Sequence, residues 1–290
     1  MTSVDVAAIV HELNQVISNA RIENIYQLSP TRFLLRLHKT SQPTLQLLIE
    51  AGKRLHLTAY AMEKPLKPPV FCMTLRKHIN NGIIEDIRQH EFERTITFRI
   101  NTKQGTMQLI AELFGEGNII LTNQQGMIVT ALIFKKMRDR SILRNVTFQH
   151  APSSGRNPFN ITREQLEELK SYGQLEIVRG LARFLSIGGL YAEEVLLRAN
   201  VDKNTSCEAL TQQQLDAVFT QLSAILSILR EGKLDPVTVI SAEGELADAA
   251  PIRLKKFEPL KTRHYESFNE ALDQYYAQTS HAAQVSEAQR

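Results

Sequence analysis

The sequence predicts an α+β chain in two parts, a β-rich antiparallel first part followed by an all-α second part. Three observations carry this expectation. The apolar period is helical over residues 4–18, with Val6, Ile9, Val10, Leu13 and Ile17 on one stripe, and then switches to two. Alternation of apolar and polar residues continues, with one helical interruption, to residue 134. A polar stretch over 144–160, punctuated by Pro152, Gly155 and Pro158, then gives way to helix signals.

Taken in order, Asp5 sits in the first turn of the opening helix, where the helix dipole favours a carboxylate. Strands follow at 21–28, 32–38 and 44–50, with a short one at 55–58; Ser29-Pro30-Thr31 and Ala51-Gly52-Lys53 supply turns. Pro68-Pro69 hold the chain extended ahead of a helix over 70–80, because proline is tolerated at a helix start. Strands at 83–90, 94–101, 107–113, 118–122 and 128–134 complete an antiparallel meander, so that 1–160 forms a first domain. Thr162 with Gln165 is a capping box ahead of Leu166 and Leu169, and helices follow at 177–184, 191–199 and 211–231, ended by Gly232. These define a helical domain over 161–235. Strand-like sequence at 236–240 and 252–257 suggests that 236–265 re-enters the first domain. Residues 267–278 start a further helix, and the polar end from Thr279 within 266–290 carries no core of its own.

Composition narrows the function classes. A chain of 290 residues, 43% apolar and 22% charged, fits one large or two moderate globular domains and excludes a disordered chain. No run approaches the roughly 18 apolar residues of a membrane span. Residues 1–5 lack the basic region and apolar core of a secretory signal. Cys72 and Cys207 are too few to close a zinc site, and their apolar settings suit a reducing cytosol, so a cytoplasmic protein is expected. The net charge of +3 is uneven: residues 1–150 hold 19 Lys and Arg against 12 Asp and Glu (+7), and residues 151–290 hold 15 against 19 (−4). A basic first half points to a polyanion, most simply nucleic acid, with chance asymmetry of a solvated surface as the plainer reading.

On the helix at 70–80, Phe71, Cys72, Leu75 and Ile79 share one arc with Thr74 and His78 at its edge, and Arg76 and Lys77 fall opposite. That is a core helix whose basic face is available to phosphate. The run Lys135-Lys136-Met137-Arg138-Asp139-Arg140 is a basic connection, either solvated or touching an RNA backbone. Residues 181–195 resemble a helix-hairpin-helix, in which small residues let backbone amides approach a phosphate. Here Ser186 replaces a glycine and Glu193-Glu194 bring negative charge, so a structural hairpin ranks ahead of a phosphate clamp. Gly115-Glu116-Gly117-Asn118 is a hairpin turn without nucleotide-loop spacing. No nucleophile–base pair and no metal cluster stands out, so the expectation is a non-enzyme without cofactor, membrane partner or small-molecule substrate.

Several segments match one family in order and spacing: Asp5 with His11-Glu12-Leu13-Asn14, then 71–78, Phe92-Glu93-Arg94, 112–122, 181–195 and 265–271. Nearly end to end, the chain resembles the N-terminal half of the NFACT proteins. The resemblance implies a β-rich NFACT-N domain like the N-terminal domain of Fpg/MutM glycosylases, followed by the helix-hairpin-helix domain. It implies ribosome-associated quality control: binding of tRNA, tRNA-Ala among the candidates, and of a large ribosomal subunit carrying stalled peptidyl-tRNA, with template-free, alanine-type C-terminal tailing of the nascent chain. It also implies that 267–278 correspond to the first turns of the family's long coiled coil. Its characteristic residues map to Asp5 and to an acidic–Arg pair at Glu93-Arg94, where the family's usual acid is aspartate. Asp5 either pairs with Arg94 in a structural bridge or accepts from a ribose hydroxyl. The full set expected at tRNA is Asp5, Arg76, Lys77, His78, Glu93, Arg94, Lys135, Lys136, Arg138 and Arg140. Glycosylase chemistry is not expected, since Thr2 and Ser3 stand where that class needs proline and glutamate. The alternative is a nucleic-acid or protein docking module on an inactive glycosylase-like fold.

Overall fold

A computed structural model describes residues 1–288, and the chain divides into two compact units. The first contains Met1, 12–90 and 94–152; the second contains 2–11, 91–93 and 153 onward. Helix α1 (Ser3–Ile17) contributes to both.

In the first unit, α1 leads into β1 (Arg21–Gln27), β2 (Arg32–His38), β3 (Leu45–Glu50) and β4 (Arg54–Leu57). Helix α2 (Val70–Ile79) precedes β5 (Ile83–Gln89), β6 (Thr95–Thr102), β7 (Gly105–Glu112), β8 (Asn118–Thr122) and β9 (Ile128–Ala131). Among the described residues these strands form one nine-stranded antiparallel sheet in the order β4-β3-β2-β1-β5-β6-β7-β8-β9. A small hairpin of β10 (Lys135–Lys136) and β11 (Ser141–Ile142) stands apart.

The sheet is two similar halves meeting at a seam. The strands β1 and β5 pair through Arg21 and Ile83 alone, flanked by a reciprocal set of backbone bonds. Asn19 N–H donates to Ile84 O at 2.7 Å and Asn81 N–H to Ile22 O at 2.8 Å, while Ile22 N–H donates to Gly82 O and Ile84 N–H to Ala20 O, both at 2.9 Å. The residues involved are 62 positions apart in matching pairs. Residues 19–27 (NARIENIYQ) and 81–89 (NGIIEDIRQ) align at that offset. Asn19 and Asn81 both take positive φ, 67° and 65°. Both first strands bulge at the same step, Ile22/Asn24 and Ile84/Asp86. Helix side chains clamp the opposite half in the same way: Asn14 Nδ2 donates to Ile87 O at 2.7 Å, and Arg76 Nε donates to Ile25 O at 2.7 Å. An internal duplication of a helix followed by four strands accounts for all of these matches.

At the far end the halves meet at the turns after β3 and β7. Gly52 N–H donates to Glu112 O at 3.0 Å, and a Cβ on Gly117, whose φ is +81°, would lie 2.0 Å from Gly52 N. The segment 112–118 is therefore architectural. Glu112 is buried in a two-pronged ion pair with Arg140 (2.7 and 2.8 Å), and the Asn118 side chain bridges to both the N–H and the C=O of Ile133.

His56 on β4 is fully buried, and burial, with the nearby Arg54 charge, lowers its pKa to about 4. A histidine whose folded pKa lies below its unfolded value of about 6.5 costs stability as pH falls from there toward 4. Thermal unfolding of the chain is expected to move down over that window, and His56→Gln is expected to flatten the dependence.

The second unit holds α3 (Ile177–Phe184), α4 (Gly188–Arg198), α5 (Gln212–Glu231) and α6 (Phe268–Ala288), with β12 (Val237–Ile240), β13 (Leu246–Ala250) and β14 (Lys261–His264). Helix α5 has a complete Thr211/Gln214 capping box and ends at Gly232 in the left-handed conformation. The expected box at Thr162 and Gln165 is present, but it opens a run of 3-10 turns over Glu164–Tyr172 rather than an α-helix. Strands β12–β14 form a separate three-stranded sheet in the order β13-β12-β14, so 236–265 does not extend the large sheet. The strand expected at 252–257 is a 3-10 turn, Lys255–Phe257, between β13 and β14. Helix α6, whose Glu270 N–H is capped by Ser267 Oγ, packs on β12 and β13 through Phe268, Ala271 and Leu272. It runs ten residues beyond the expected 278, and residues 289–290 of the expected polar tail lie outside the described residues.

Candidate nucleic-acid interface

In the sheet unit, α2 buries Cys72, Leu75 and Ile79, as its periodicity requires. Arg76 departs from the expected outward position. It turns onto Ile25 O as the duplicate of the Asn14 clamp, and its guanidinium lies 5.4 Å from the Tyr26 ring centre. Lys64 approaches the same ring at 4.9 Å. Burial works to raise the Tyr26 hydroxyl, but hydrogen bonds from Asn24 and Arg36 and the charges of Arg36 and Lys64 outweigh it and lower its pKa. Lys77 projects into solvent. His78 is held below its ordinary value by burial and then by Lys77.

The basic run after β9 divides. Arg140 is buried against Glu112 and Gln149 O, at 8% exposure, and is a correction to its expected place at RNA. Lys135 pairs with Glu116 at 2.7 Å on the surface. Lys136 and Arg138 are exposed. Arg94 stands one residue ahead of β6, its carbonyl fixed by Leu113 N–H at 2.9 Å and its side chain exposed with no ion pair within its own unit. A planar donor fork presented from a fixed backbone is what phosphate or base-edge recognition requires.

In the second unit, Ser3 at the head of α1 and Glu93 converge on the turn Leu185-Ser186-Ile187 between α3 and α4. Ser3 Oγ, at the head of α1, donates to Ser186 O at 2.6 Å, and Ser186 Oγ donates to Glu93 Oε1 at 2.9 Å. Glu93 also accepts from Ser154 N–H at 2.8 Å and from Ser154 Oγ. The serine in place of the motif's glycine has a definite role here: it holds Glu93. The opening turn of α1 is capped reciprocally, with Thr2 N–H donating to Asp5 Oδ2 at 2.8 Å and Asp5 N–H to Thr2 Oγ1 at 3.1 Å.

Asp5 is nonetheless unusually placed for a capping acid. It is 7% exposed, and burial raises its pKa to about 6 against the lowering effect of the Thr2 N–H bond, with the Asp248 charge adding to the rise. Asp248 on β13 is itself raised by burial. Tyr191 on α4 is buried, its hydroxyl lacks a hydrogen-bond partner among the described residues, and its pKa is pushed well up by burial and then by Asp5, Asp248 and Glu194. Ser3, Ser154, Tyr191 and Asp248 are not marked as site residues by the sequence, and Ser186 is marked only as a departure from the hairpin pattern. The glycine-to-serine change at 186 was the one local signal among them. Glu193 and Glu194 are neutralised: Glu193 pairs with Lys203 and Lys256, and the fully buried Glu194 takes Arg198 and the N–H groups of Lys255 and Lys256.

Fold and site define a class that comparison with known proteins makes specific. The family model for the NFACT N-terminal and middle domains matches residues 2–290. The chain belongs to the NFACT family. It is 32% identical over 287 residues to the archaeal Rqc2 homolog aRqcH of Methanocaldococcus jannaschii, covering 96% of this chain and 42% of that protein. It is 27% identical to the Rqc2 homolog RqcH of Bacillus subtilis, over 92% of this chain and 47% of that one. Among solved structures, the fibrinogen binding protein from Staphylococcus aureus superposes with a TM-score of 0.76 at 25% identity, over 95% of this chain and 98% of that one. The chain thus spans less than half the length of these curated relatives. Among the described residues no helix is long and apolar enough to cross a membrane.

Proposed function

We propose that this chain is the tRNA-binding region of a ribosome-associated quality control factor, acting without chemistry of its own. On this reading it engages tRNA at large ribosomal subunits that carry stalled peptidyl-tRNA and supports alanine-type, template-free tailing. The turn between α3 and α4 is then a helix-hairpin-helix whose position is set by Ser3 and Glu93. The observation that carries the reading is the match to the family along residues 2–290, together with the relatives named as Rqc2 homologs in archaea and bacteria and as a ribosome quality control complex subunit in mouse. Arg94, exposed and in no ion pair among the described residues, gives it a physical contact point. Lys77, Lys136 and Arg138 supply general phosphate attraction, whereas Arg76 and Arg140 serve the fold and Glu93 holds the hairpin turn.

Arg94→Ala is expected to weaken tRNA binding about tenfold, the worth of one good bidentate contact, while leaving thermal unfolding unchanged. Filter binding across a salt series measures the affinity, and a thermal melt measures the unfolding. Lys77→Ala is expected to lower affinity less and to flatten the log–log salt slope by roughly 0.7–0.9 for each lost phosphate contact. Wild-type tRNA affinity in Arg94→Ala would refute the assignment of this residue.

A further inference from the structure

The second unit contains a cavity of about 440 Å³ whose wall includes Arg198, Arg253, Leu254, Lys255, Phe257 and Leu260. Its volume falls within the roughly 300–1,000 Å³ of small-ligand sites. Three cations and one carboxylate line it, and the remaining wall is an aromatic ring, three aliphatic side chains and a threonine.

The cationic side is built in advance. Glu194, fully buried, accepts from Arg198 Nε at 3.0 Å and from the N–H groups of Lys255 and Lys256 at 2.9 and 3.0 Å. One carboxylate therefore fixes both the guanidinium and the 3-10 turn that carries Lys255 and Phe257. Arg198 Nη2 is further tied to Arg253 O at 2.7 Å, so its orientation is set from two sides. Arg253 is steadied at the rim by Asp235 at 3.3 Å and by His264. Lys255 itself pairs with no carboxylate among the described residues, and Leu260 remains 38% exposed at the mouth.

Two guanidinium forks and a free ammonium beside a Phe-walled apolar slot fit an anion attached to a flat apolar body. We propose that this cavity binds one nucleotide, its base against Phe257 and Leu254 and its phosphate at Arg253 and Lys255, with Arg198 behind them. Resting on the RNA-binding reading above, the expected source is an unstacked nucleotide of the bound RNA; a free mononucleotide presents the same chemistry. An acidic peptide would satisfy the cations but leave the aromatic wall unused.

The test uses the whole chain and two probes, AMP and tRNA carrying 4-thiouridine. Photo-crosslinking of the tRNA followed by peptide mapping is expected to label residues 253–262. Lys255→Glu, an exposed change that leaves the Glu194 network intact, and Phe257→Ala are each expected to reduce that crosslink about tenfold. Competition separates the sources: tRNA displacing AMP from the wild-type chain assigns an RNA nucleotide, and AMP bound without competition assigns a free one. Absence of labelling at 253–262 together with no saturable AMP binding would overturn the proposal, as would saturable capture of an acidic peptide that Lys255→Glu abolishes and Phe257→Ala leaves intact. Arg94→Ala serves as the independent control, because its failure to weaken tRNA binding would count against the tRNA reading while leaving AMP occupancy of the cavity measurable.

Discussion

Alanine in place of Arg140 is expected to destabilise the sheet unit by about 3–5 kcal/mol, because it strands the buried Glu112 carboxylate without its cation. The pair is two-pronged, at 2.7 and 2.8 Å, with side-chain exposures of 6% and 4%. Arg140 also ties down Gln149 O at 3.0 Å, so the loss reaches the segment after β11. Arg140→Lys is expected to recover little, since a single ammonium cannot reproduce the fork. Replacing both partners with leucine is expected to recover much of the stability, as paired removal of a buried ion pair often does. Chemical denaturation of the three variants measures this directly. The expectation also separates Arg140 from Arg94: one change unfolds, the other affects RNA binding alone.

Asp5→Asn is expected to stabilise the protein at pH 8, by on the order of 2–3 kcal/mol, and to leave it nearly unchanged at pH 4. The sign follows from the raised pKa of about 6 in the folded chain. The folded state holds the Asp5 proton more tightly than the unfolded state, whose value lies near 3.8. The group is therefore most favourable to folding in acid, and stability falls as pH rises from about 4 through 6. An amide oxygen can still accept from Thr2 N–H, so the variant keeps the cap while removing the buried charge. A thermal scan of both proteins at several pH values gives the crossover. Equal unfolding temperatures of variant and wild type across the pH range would contradict the account.

Much of the first unit is legible in the sequence because its strands alternate between a buried and a solvated face, and alternation is what period analysis detects. The strand limits at 32–38 and 118–122 coincide with the structure, and the others fall within a few residues. Errors gather where a local pattern is not the deciding force. Residues 252–257 are apolar at strand spacing, yet Lys255 and Lys256 are turned by the buried Glu194, a contact 61 residues away in sequence. Gly188-Gly189 reads as a turn, but these residues already belong to α4, whose first residue takes φ +75°.

The duplication was present in the sequence as NARIENIYQ and NGIIEDIRQ, and it explains why Arg76 faces inward: its partner position is Asn14, a clamp. Charge runs likewise misled at Arg140, because composition does not distinguish a cation paired in the core from one in solvent. The site was only half legible. Asp5, Glu93 and Arg94 come from motif matching, whereas the serines that gather Asp5's helix and Glu93 at one turn are separated by 93 to 183 residues and carry no local signature.

The measurement closest to the central claim is sequencing of the RNA that co-purifies with this chain and with its Arg94→Ala variant, from the same cytosol. Enrichment of one or a few tRNAs on the wild type, tRNA-Ala foremost, and its loss from the variant is the expected result. RNA of equal amount and unselected composition on both proteins would contradict it.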